Sequence, residues 1–515
     1  MEYPRNYNAA TDMVDRNVAE GRGAKVAFID PDEQLTYGEL QMRCNRMANL
    51  LSTYEIPREA RVAILLLDTV DFPVAYWGAI KAGVVPVCLN TLLPTEQYAY
   101  ILGDSRAKAL FVSAQLLPVV QPILGKLPFL KHVFVSGGET PAFALPFRDE
   151  LKQQSTAYVT AETSPDETAF WLYSSGSTGM PKGVRHVHSS PMETARLTGQ
   201  ACLGIREDDV VYSAAKLFFA YGLGNAMSFP MSVGATAILR PERPTPDSVF
   251  ATLKQYQPTF FFGVPTLYAA MLASPHGTRE NSSPRLRACV SAGEALPAEV
   301  GKAFAAKFGV DIFDGVGSTE MLHQYVCNSA STNRYGTSGR AVEGYEIRLV
   351  DEQGNEVADG EVGEMLVRGP SAADGYWNQR EKSRKTFEGN WTRSGDKYTR
   401  DADGYFTYQG RTDDMFKVSG IWVSPFEVES ALITHDDVLE AAVVPKEDAD
   451  GLVKPKAFIV LKPGRTTGNG LQDTLKEHVK AKAGMWKYPR WIEVVDGLPK
   501  TATGKIQRFK LRETP

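Results

Sequence analysis

A glycine- and hydroxyl-rich loop with a single lysine, YSSGSTGMPKG at residues 173–183, is the stretch best suited to chemistry. It follows the apolar run 169–172 and precedes the β-branched Val184, so it begins where a predicted strand ends. Glycines let backbone N–H groups approach a ligand, hydroxyls add donors, and a lysine adds a point charge. The composition therefore indicates a phosphate cradle, with a flexible surface loop as the alternative.

Two well-known nucleotide motifs do not account for this loop. A Walker A loop needs Gly-Lys followed by Ser or Thr, whereas here Pro181 precedes Lys182 and Gly183 follows it. The Gly-x-Gly pairs at 222–224 and 315–317 lack both the third glycine and the strand-to-helix context of a dinucleotide fingerprint. If the loop binds phosphate, it belongs to another class of site.

Four further motifs follow the loop in order: GVGSTE at 315–320, SGD at 394–396, GRTDDMFKVSG at 410–420 and PKTATGK at 499–505. Together the five motifs resemble those of the acyl-adenylate-forming enzymes, a superfamily of acyl-CoA synthetases, peptide-synthetase adenylation domains and firefly luciferase. The resemblance covers essentially the whole chain. It implies ATP, Mg²⁺ and CoA as cofactors or cosubstrates, and a carboxylate that is first joined to AMP and then passed to a thiol.

The resemblance assigns nucleotide roles to individual residues. Lys505 is expected to reach the carboxylate and the α-phosphate, Asp396 and Arg411 to bind the ribose, and Thr178 with Glu320 to support Mg²⁺, which prefers hard oxygen ligands. Taken alone, Glu320 has the alternative of a solvated surface acid and Lys505 that of an exposed tail residue. The implied catalytic residues are Lys505, Glu320, Thr178 and Lys182. The implied ATP-binding residues are Ser174, Ser175, Gly176, Ser177, Thr178, Gly179, Lys182, Gly293, Glu294, Asp314, Gly315, Ser318, Thr319, Asp396 and Arg411.

A hinge and a thiol tunnel are implied by the motif at 410–420. Asp413 matches the position about which the C-terminal part rotates, and a hinge absorbs a large backbone change at a domain boundary. The residues implied to line the tunnel for the pantetheine arm of CoA are Lys417, Ser419, Gly420, Ile421 and Trp422. A simple turn at 418–420 is the alternative.

The acid pocket is suggested by KLFFAYGLGN at 216–225 and by GSTEMLH, which ends at His323. Amino-acid-activating relatives carry an aspartate in the first stretch, and its absence here disfavours an α-amino acid, because an unpaired buried ammonium is costly. These stretches most resemble the benzoate-CoA ligases. The implied lining is Ala220, Tyr221, Val264, Gly293, Gly317 and His323. The alternatives are that Phe218, Phe219 and Tyr221 are core aromatics and that His323 is structural.

Composition limits the partners. The net charge of −5 gives no bulk positive field, so nucleic acid is not expected as a partner. The five dispersed cysteines form no C-x-x-C pair, which favours a reduced, cytoplasmic setting. Apolar runs such as 62–67 are far shorter than the roughly 18 residues of a membrane span, so no membrane partner is expected. His186-x-His188 lacks a third plausible ligand, which disfavours a metal site there, and the chain is compatible with a monomer or a homodimer.

The elements that must position these motifs alternate between strand and helix. Thr36-x-x-Glu39 predicts a helix start, and short apolar runs before and after it predict parallel strands covered by helices. From about Tyr345, short strands with turn signals predict a small antiparallel subdomain. The expected fold is α/β: a large N-terminal ATP- and acid-binding domain of stacked, mostly parallel sheets, 1–412, and a small mobile α+β C-terminal domain, 413–515.

Several functions remain open on the sequence alone. An ATP-dependent ligase joining an aromatic acid to CoA is the leading hypothesis. The alternatives are an enzyme that loads a carrier-protein thiol, a CoA ligase for another small or medium-chain acid, and a luciferase-like oxidase. A regulator without catalysis is disfavoured by the intact set of Lys182, Glu320, Asp396, Arg411 and Lys505.

Overall fold

The computed structural model describes residues 2–174, 180–412, 414–418, 421–448, 452–468, 470–484, 487–500 and 506–512. In chain order the strands are β1 Val26–Ile29, β2 Gln34–Thr36, β3 Arg61–Leu65, β4 Val85–Cys88, β5 Ala109–Ser113, β6 His132–Ser136, β7 Leu145–Pro146, β8 Thr168–Ser174, β9 Lys182–Val187, β10 Val210–Ser213, β11 Thr236–Ile238, β12 Phe260–Gly263, β13 Ala288–Ser291, β14 Ile312–Gly317, β15 Gln324–Cys327, β16 Arg340–Ala341, β17 Glu346–Val350, β18 Gly363–Arg368, β19 Gly375–Tyr376, β20 Phe387–Glu388, β21 Trp391–Arg400, β22 Phe406–Arg411, β23 Phe416–Val418, β24 Ile421–Val423, β25 Val438–Glu447, β26 Val453–Leu461 and β27 Trp491–Val494.

Helices lie between the strands of the two large sheets described below and occur again in the C-terminal part. They are α1 Tyr37–Thr53, α2 Asp71–Lys81, α3 Thr95–Ser105, α4 Leu117–Leu124, α5 Phe147–Lys152, α6 Ser190–Thr194, α7 Ala220–Leu223, α8 Phe229–Val233, α9 Pro246–Tyr256, α10 Pro265–Ala273, α11 Ala298–Phe308, α12 Arg380–Thr386, α13 Pro425–Ile433, α14 Leu471–Ala483 and α15 Arg508–Arg512. Short π-helical turns span Thr11–Asp15, Val18–Arg22, Ala195–Cys202 and Gly224–Ser228, and 3₁₀ turns span Ala114–Leu116, Arg279–Asn281 and Thr319–Met321.

One large sheet has the order β16-β15-β14-β13-β12-β10-β11-β1-β2. Its central ladders are parallel, with Phe260 opposite Ala288 and Cys289 opposite Ile312. Strand β12 is a continuous buried run of phenylalanines, as expected for a strand covered on both faces. The carboxyl ends of β12, β13 and β14 therefore meet at one edge of this sheet.

A second sheet has the order β19-β9-β8-β4-β3-β5-β6-β7. Strands β8 and β9 form an antiparallel hairpin in which Ser174 faces Lys182, so the glycine-rich loop connects two strands. Strand β19 pairs with β9 and places Tyr376 opposite Val184. This pairing joins segments that are about 190 residues apart in sequence.

The predicted antiparallel subdomain is a third sheet, with the order β17-β18-β21-β20 and β22 added to β21. Asp396 on β21 is directly opposite Arg411 on β22. The predicted α/β fold class, with stacked mostly parallel sheets, a small β subdomain and a C-terminal α+β part, is confirmed.

Beyond β22, the chain forms the two-stranded sheet β23-β24 and the three-stranded sheet β25-β26-β27. These strands pack with α13 and α14 around apolar clusters made only of residues from this part of the chain. The buried carboxylate of Glu429 on α13 accepts two hydrogen bonds from the Arg508 guanidinium, at 3.0 and 2.7 Å, which fixes α15 to α13.

Across the described ranges, no helix is both long and apolar enough to cross a membrane.

Candidate active site

Two predicted residues, Lys182 and Glu320, form a cluster with Tyr376 near the ends of β9, β14 and β19. The Glu320 Oε1 atom lies 3.7 Å from Lys182 Nζ and accepts a hydrogen bond of 2.7 Å from the Tyr376 hydroxyl. Lys182 Nζ in turn donates to the Tyr376 hydroxyl at 3.2 Å and lies 4.3 Å from the centre of its ring. One carboxylate, one phenol and one ammonium are thus joined at the point where the glycine-rich loop ends.

The charge around Lys182 is strongly positive. Burial lowers the pKa of Lys182, Glu320 opposes this shift, and the nearby cations Lys382 and Arg411 lower the pKa further. The three cations Lys182, Lys382 and Arg411 outnumber the two carboxylates that pair with them, Glu320 and Asp396, which suits a ligand that carries several negative charges. An anionic ligand in this place would oppose this lowering of the Lys182 pKa.

The turn that carries Glu320 is fixed from two sides. The Ser318 side chain accepts a hydrogen bond of 3.3 Å from the Met321 N–H and so begins the 3₁₀ turn. His186 Nε2, on β9, lies 2.9 Å from the Thr319 carbonyl oxygen and donates to it. Because His186 is fully buried, this bond holds the glutamate turn against the hairpin that carries the loop.

The predicted ribose-binding pair is also formed. Arg411 Nη1 lies 3.0 Å from Asp396 Oδ1 and 3.2 Å from the Ser394 carbonyl oxygen. Gly395 has φ of +72°, and a Cβ there would lie 2.9 Å from Arg411 Nη2, so the turn needs a glycine. The pair is set by the register of β21 and β22.

The predicted acid-binding residues lie around the carboxyl ends of β12, β13 and β14. The Tyr221 hydroxyl donates to the Val290 carbonyl oxygen at 3.0 Å, and the Tyr221 ring lies against His323 with 5.4 Å between ring centres. A Cβ on Gly317 would approach the His323 backbone to 2.6 Å, so glycine is required for this close contact. Ala220 begins α7, Val264 precedes α10, and Gly293, with φ of +95°, follows β13.

Burial and contacts bear on two of the alternatives raised by the sequence. Phe218 is a core residue, only 4% exposed, whereas Phe219 and Tyr221 remain partly exposed. His323 Nε2 donates to Asn225 Oδ1 at 3.0 Å, and burial lowers the pKa of His323 to about 3. His323 is therefore neutral, hydrogen-bonded and buried, and its role in acid binding stays a prediction.

Two further predicted ATP-binding residues flank this edge. Burial raises the pKa of the Asp314 carboxyl to about 8, and its Oδ2 atom accepts from the Leu296 N–H at 3.3 Å. Glu294 Oε1 accepts a hydrogen bond of 3.2 Å from the backbone N–H of Ile506, the residue that follows Lys505 in sequence. The C-terminal part therefore contacts the same edge of the large sheet.

Several predicted site residues lie outside the described residues. They are Ser175, Gly176, Ser177, Thr178, Gly179, Asp413, Ser419, Gly420 and Lys505, and the side chains of Lys417, Ile421 and Trp422 are likewise outside the description. Ser174 and Lys182, on either side of the loop, are described and face each other across the hairpin.

Sequence reasoning missed Tyr376 and Lys382. Tyr376 lies in GYWNQ and Lys382 in the basic helix α12, and neither stretch carries a recognisable motif. For His186 and His188, a metal site was the one role considered from the sequence, and it was disfavoured. His188 Nδ1 instead accepts from the Ala9 N–H at 3.1 Å, and among the described residues no His, Cys, Asp or Glu cluster is suited to a metal ion.

The buried histidines should make the fold sensitive to acid. Burial lowers the pKa of both His186 and His188 to about 4, below the value of about 6.5 in the unfolded chain, so the unfolded state binds more protons between these values. Stability is therefore expected to fall as the pH drops from about 6.5 toward 4, by on the order of 2 kcal/mol per histidine at pH 5.

Urea unfolding of the wild type and His186→Gln at pH 7 and pH 5 tests this. Glutamine can still donate to the Thr319 carbonyl but does not titrate, so the variant should lose less stability on acidification. Equal losses in the two proteins would contradict the assignment of the acid sensitivity to His186.

Comparison with known proteins places these features in a family. The model of the AMP-binding enzymes matches residues 15–377, and that of the AMP-binding enzyme C-terminal domain matches residues 427–505. This chain belongs to the AMP-binding enzyme family. The resemblance drawn from the five motifs is thereby confirmed.

Within the family, the chain is similar to ligases that act on aromatic acids. It is 58% identical to a 4-hydroxybenzoate–CoA/benzoate–CoA ligase of Rhodopseudomonas palustris, over 99% of this chain and 94% of the relative. It is 56% identical to a benzoate–CoA ligase of Thauera aromatica, over 99% and 97%. A solved benzoate CoA ligase from Burkholderia xenovorans LB400 superposes with a TM-score of 0.92 at 51% identity, covering 98% of this chain and 100% of that one. The anthranilate CoA ligase AuaEII, solved in complex with anthranoyl-AMP, gives a TM-score of 0.96 at 43% identity, covering 99% and 98%.

Proposed function

We propose that this enzyme joins a benzoate-type aromatic acid to AMP at the expense of ATP and then transfers the acyl group to CoA, releasing pyrophosphate and AMP. The observation that carries the proposal is the contact of the partly exposed Tyr221 ring with the buried, neutral His323, an uncharged aromatic pair at the proposed acid site. The identity of 56–58% to benzoate-activating ligases over 99% of this chain supports the same substrate class.

Adenylation requires that the protein stabilise the negative charge that builds up on the ATP phosphates during the reaction. A carboxylate oxygen of the acid attacks the α-phosphorus of ATP, and the bond between that phosphorus and the pyrophosphate oxygen breaks. Lys182, Lys382 and Arg411 give the phosphates a cationic surrounding, and preorganised charge of this kind is usually the largest catalytic contribution. Lys505 is proposed to contact the carboxylate and the α-phosphate, Asp396 with Arg411 to hold the ribose, and Glu294, Asp314 and Gly315 to contribute to ATP binding.

Mg²⁺ is part of the proposal, with Glu320 and Thr178 as its protein ligands. The residues fit this ion, because Mg²⁺ keeps several waters and is usually bound by one or two carboxylates together with substrate phosphates. When bound, it neutralises phosphate charge. The protein's own contribution is the orientation of the Glu320 carboxylate by the Tyr376 hydroxyl and the fixed turn around it.

Transfer to CoA is proposed to follow a rotation of residues 413–515 against 1–412 about Asp413. The separate apolar clusters of the C-terminal part support its movement as a unit. Rotation would withdraw Lys505 and bring Lys417, Ser419, Gly420, Ile421 and Trp422 to the adenylate, where the pantetheine thiol attacks the acyl carbon and AMP leaves.

A cytoplasmic enzyme, monomeric or homodimeric, is part of the proposal, and five free thiols support the reducing setting.

Tyr376→Phe should slow adenylation about 5- to 20-fold, because it removes one hydrogen bond to the Glu320 carboxylate but keeps the ring under Lys182. Exchange of labelled pyrophosphate into ATP measures this step. The matched control is Tyr335→Phe, which also removes a phenol bonded to a carboxylate, that of Asp311, but outside the cluster. Equal effects of the two substitutions would argue against a role for Tyr376.

The function itself is tested by AMP release with ATP and Mg²⁺, with and without CoA. Benzoate, acetate, octanoate and phenylalanine are compared, and rapid release is expected only with benzoate and CoA together. Turnover of another acid in place of benzoate would overturn the assignment of the pocket. Pyrophosphate formation with benzoate that CoA does not accelerate would indicate a carrier-protein thiol as the acceptor.

A further inference from the structure

The described residues on either side of the segment 501–505, which itself lies outside the described residues, are bonded to each other. The Gln507 N–H donates to the Pro499 carbonyl oxygen at 2.8 Å, and Lys500 and Ile506 form an antiparallel bridge. We call these four residues, Pro499, Lys500, Ile506 and Gln507, the lysine hairpin. Because its two ends are bonded to each other, anything that positions Ile506 also positions the end of the segment to which Lys505 is joined.

The lysine hairpin is fixed to the C-terminal part by side chains on both sides of its base. Lys500 Nζ lies 2.6 Å from Glu440 Oε1 on β25, and Arg508, just after the hairpin, is bonded to the buried Glu429. Ile506 also packs against an apolar cluster that includes Leu498. The hairpin must therefore move whenever the C-terminal part moves.

A contact with the N-terminal part is made at the same place. Glu294 Oε1 accepts from the Ile506 N–H at 3.2 Å, across 212 residues of sequence. Glu294 follows β13 and Gly293, at the sheet edge that also carries the Tyr221 and His323 pair. A hydrogen bond from a backbone N–H to a carboxylate is charge-assisted and stronger than a neutral one. It can form only while the hairpin lies against this edge.

We propose that Glu294 is a positioning residue that docks the lysine hairpin on the N-terminal part for adenylation, rather than a residue that serves ATP alone. This inference rests on the proposed function. It assigns Glu294 to one half of the reaction: the carboxylate supports the arrangement in which the acid is activated, and its bond to Ile506 is broken before CoA is acylated.

The test compares Glu294→Ala and Glu294→Gln with Glu299→Ala, an exposed glutamate on the neighbouring helix α11. Adenylation is measured by pyrophosphate exchange with the acid that gives the wild type its highest rate, and CoA transfer by supplying that acid's adenylate and CoA. Glu294→Ala should slow exchange about 10- to 100-fold, the effect expected for one charge-assisted hydrogen bond, with the KM for ATP within about threefold.

Two further results are expected of a docking role. CoA transfer by Glu294→Ala should stay within about twofold of the wild type, which also establishes that the variant is folded. Glu294→Gln keeps an oxygen acceptor and should recover most of the exchange rate.

Other outcomes overturn the inference. A large rise in the KM for ATP with equal losses in both half-reactions would make Glu294 an ATP ligand only. Unchanged exchange in Glu294→Ala would remove it from the reaction. A wild type inactive with every acid would instead overturn the proposed function, and the docking role would fall with it.

Discussion

Lys505→Ala is expected to slow adenylation at least about 100-fold while a supplied benzoyl-adenylate is still converted to benzoyl-CoA. Removing a donor that stabilises developing charge in the transition state costs on the order of 3 kcal/mol or more. Once the adenylate exists, pyrophosphate has left and the step that Lys505 stabilises is over. The proposed rotation then moves Lys505 away from the α-phosphate. Pyrophosphate exchange and thioester formation, measured on one preparation, separate the two steps.

The matched control for Lys505→Ala is Lys510→Ala, which removes another lysine from the same tail, on α15. It should leave both half-reactions within about twofold of the wild type, as expected for a surface change. If Lys505→Ala loses both half-reactions equally, its role is structural rather than specific to adenylation.

Glu320→Gln should produce the second large effect, a loss of about 100- to 1,000-fold in adenylation. The substitution keeps the shape of the side chain but removes the negative charge 3.7 Å from Lys182 Nζ, in a cluster that also feels Lys382 and Arg411. It also removes the carboxylate proposed to bind Mg²⁺, so the Mg²⁺ concentration for half-maximal rate should rise. Initial rates of pyrophosphate exchange across a Mg²⁺ series measure both effects.

Glu343→Gln is the control for this substitution, because Glu343 is exposed and lies outside the cluster. It should change neither the rate nor the Mg²⁺ dependence. A normal Mg²⁺ dependence in Glu320→Gln, combined with a small loss of rate, would rule out the proposed ligand role of Glu320.

Local signals in the sequence predicted local structure well. Thr36 and Glu39 form the expected capping box, in which the Thr36 side chain accepts from the Glu39 N–H at 3.2 Å and the Glu39 carboxylate accepts from the Thr36 N–H at 2.9 Å. Asp396 and Arg411, which the family resemblance assigned together to the ribose, do form a pair, because they lie opposite each other on β21 and β22. In the capping box the partners are close in sequence, so spacing carries the information; for the ribose pair the motifs carried it.

Contacts made by distant pairing could not be predicted in this way. Tyr376 reaches Glu320 and Lys182 because β19 adds to β9, and nothing in GYWNQ specifies that partner. A metal site at His186 was considered from its spacing and disfavoured, but its bond to the Thr319 carbonyl could not be foreseen, because it depends on how two sheets stack. Phe218 and Tyr221 are three residues apart, yet one is buried in the core and the other is partly exposed beside His323, a difference set by the packing of α7.

The position of β1 in the large sheet has a consequence for how the protein is made. Phe28 on β1 pairs with Ala237 on β11, a strand that leaves the ribosome about 200 residues later. At synthesis rates of about 5 to 20 residues per second, β1 waits roughly 10 to 40 s for this neighbour. During that interval β2 and α1, which follow β1 directly, can cover part of its buried Ala27 and Phe28, but the edge of β1 that pairs with β11 stays open, so the newborn chain depends on early packing of its N-terminal elements, or on a chaperone, to avoid aggregation.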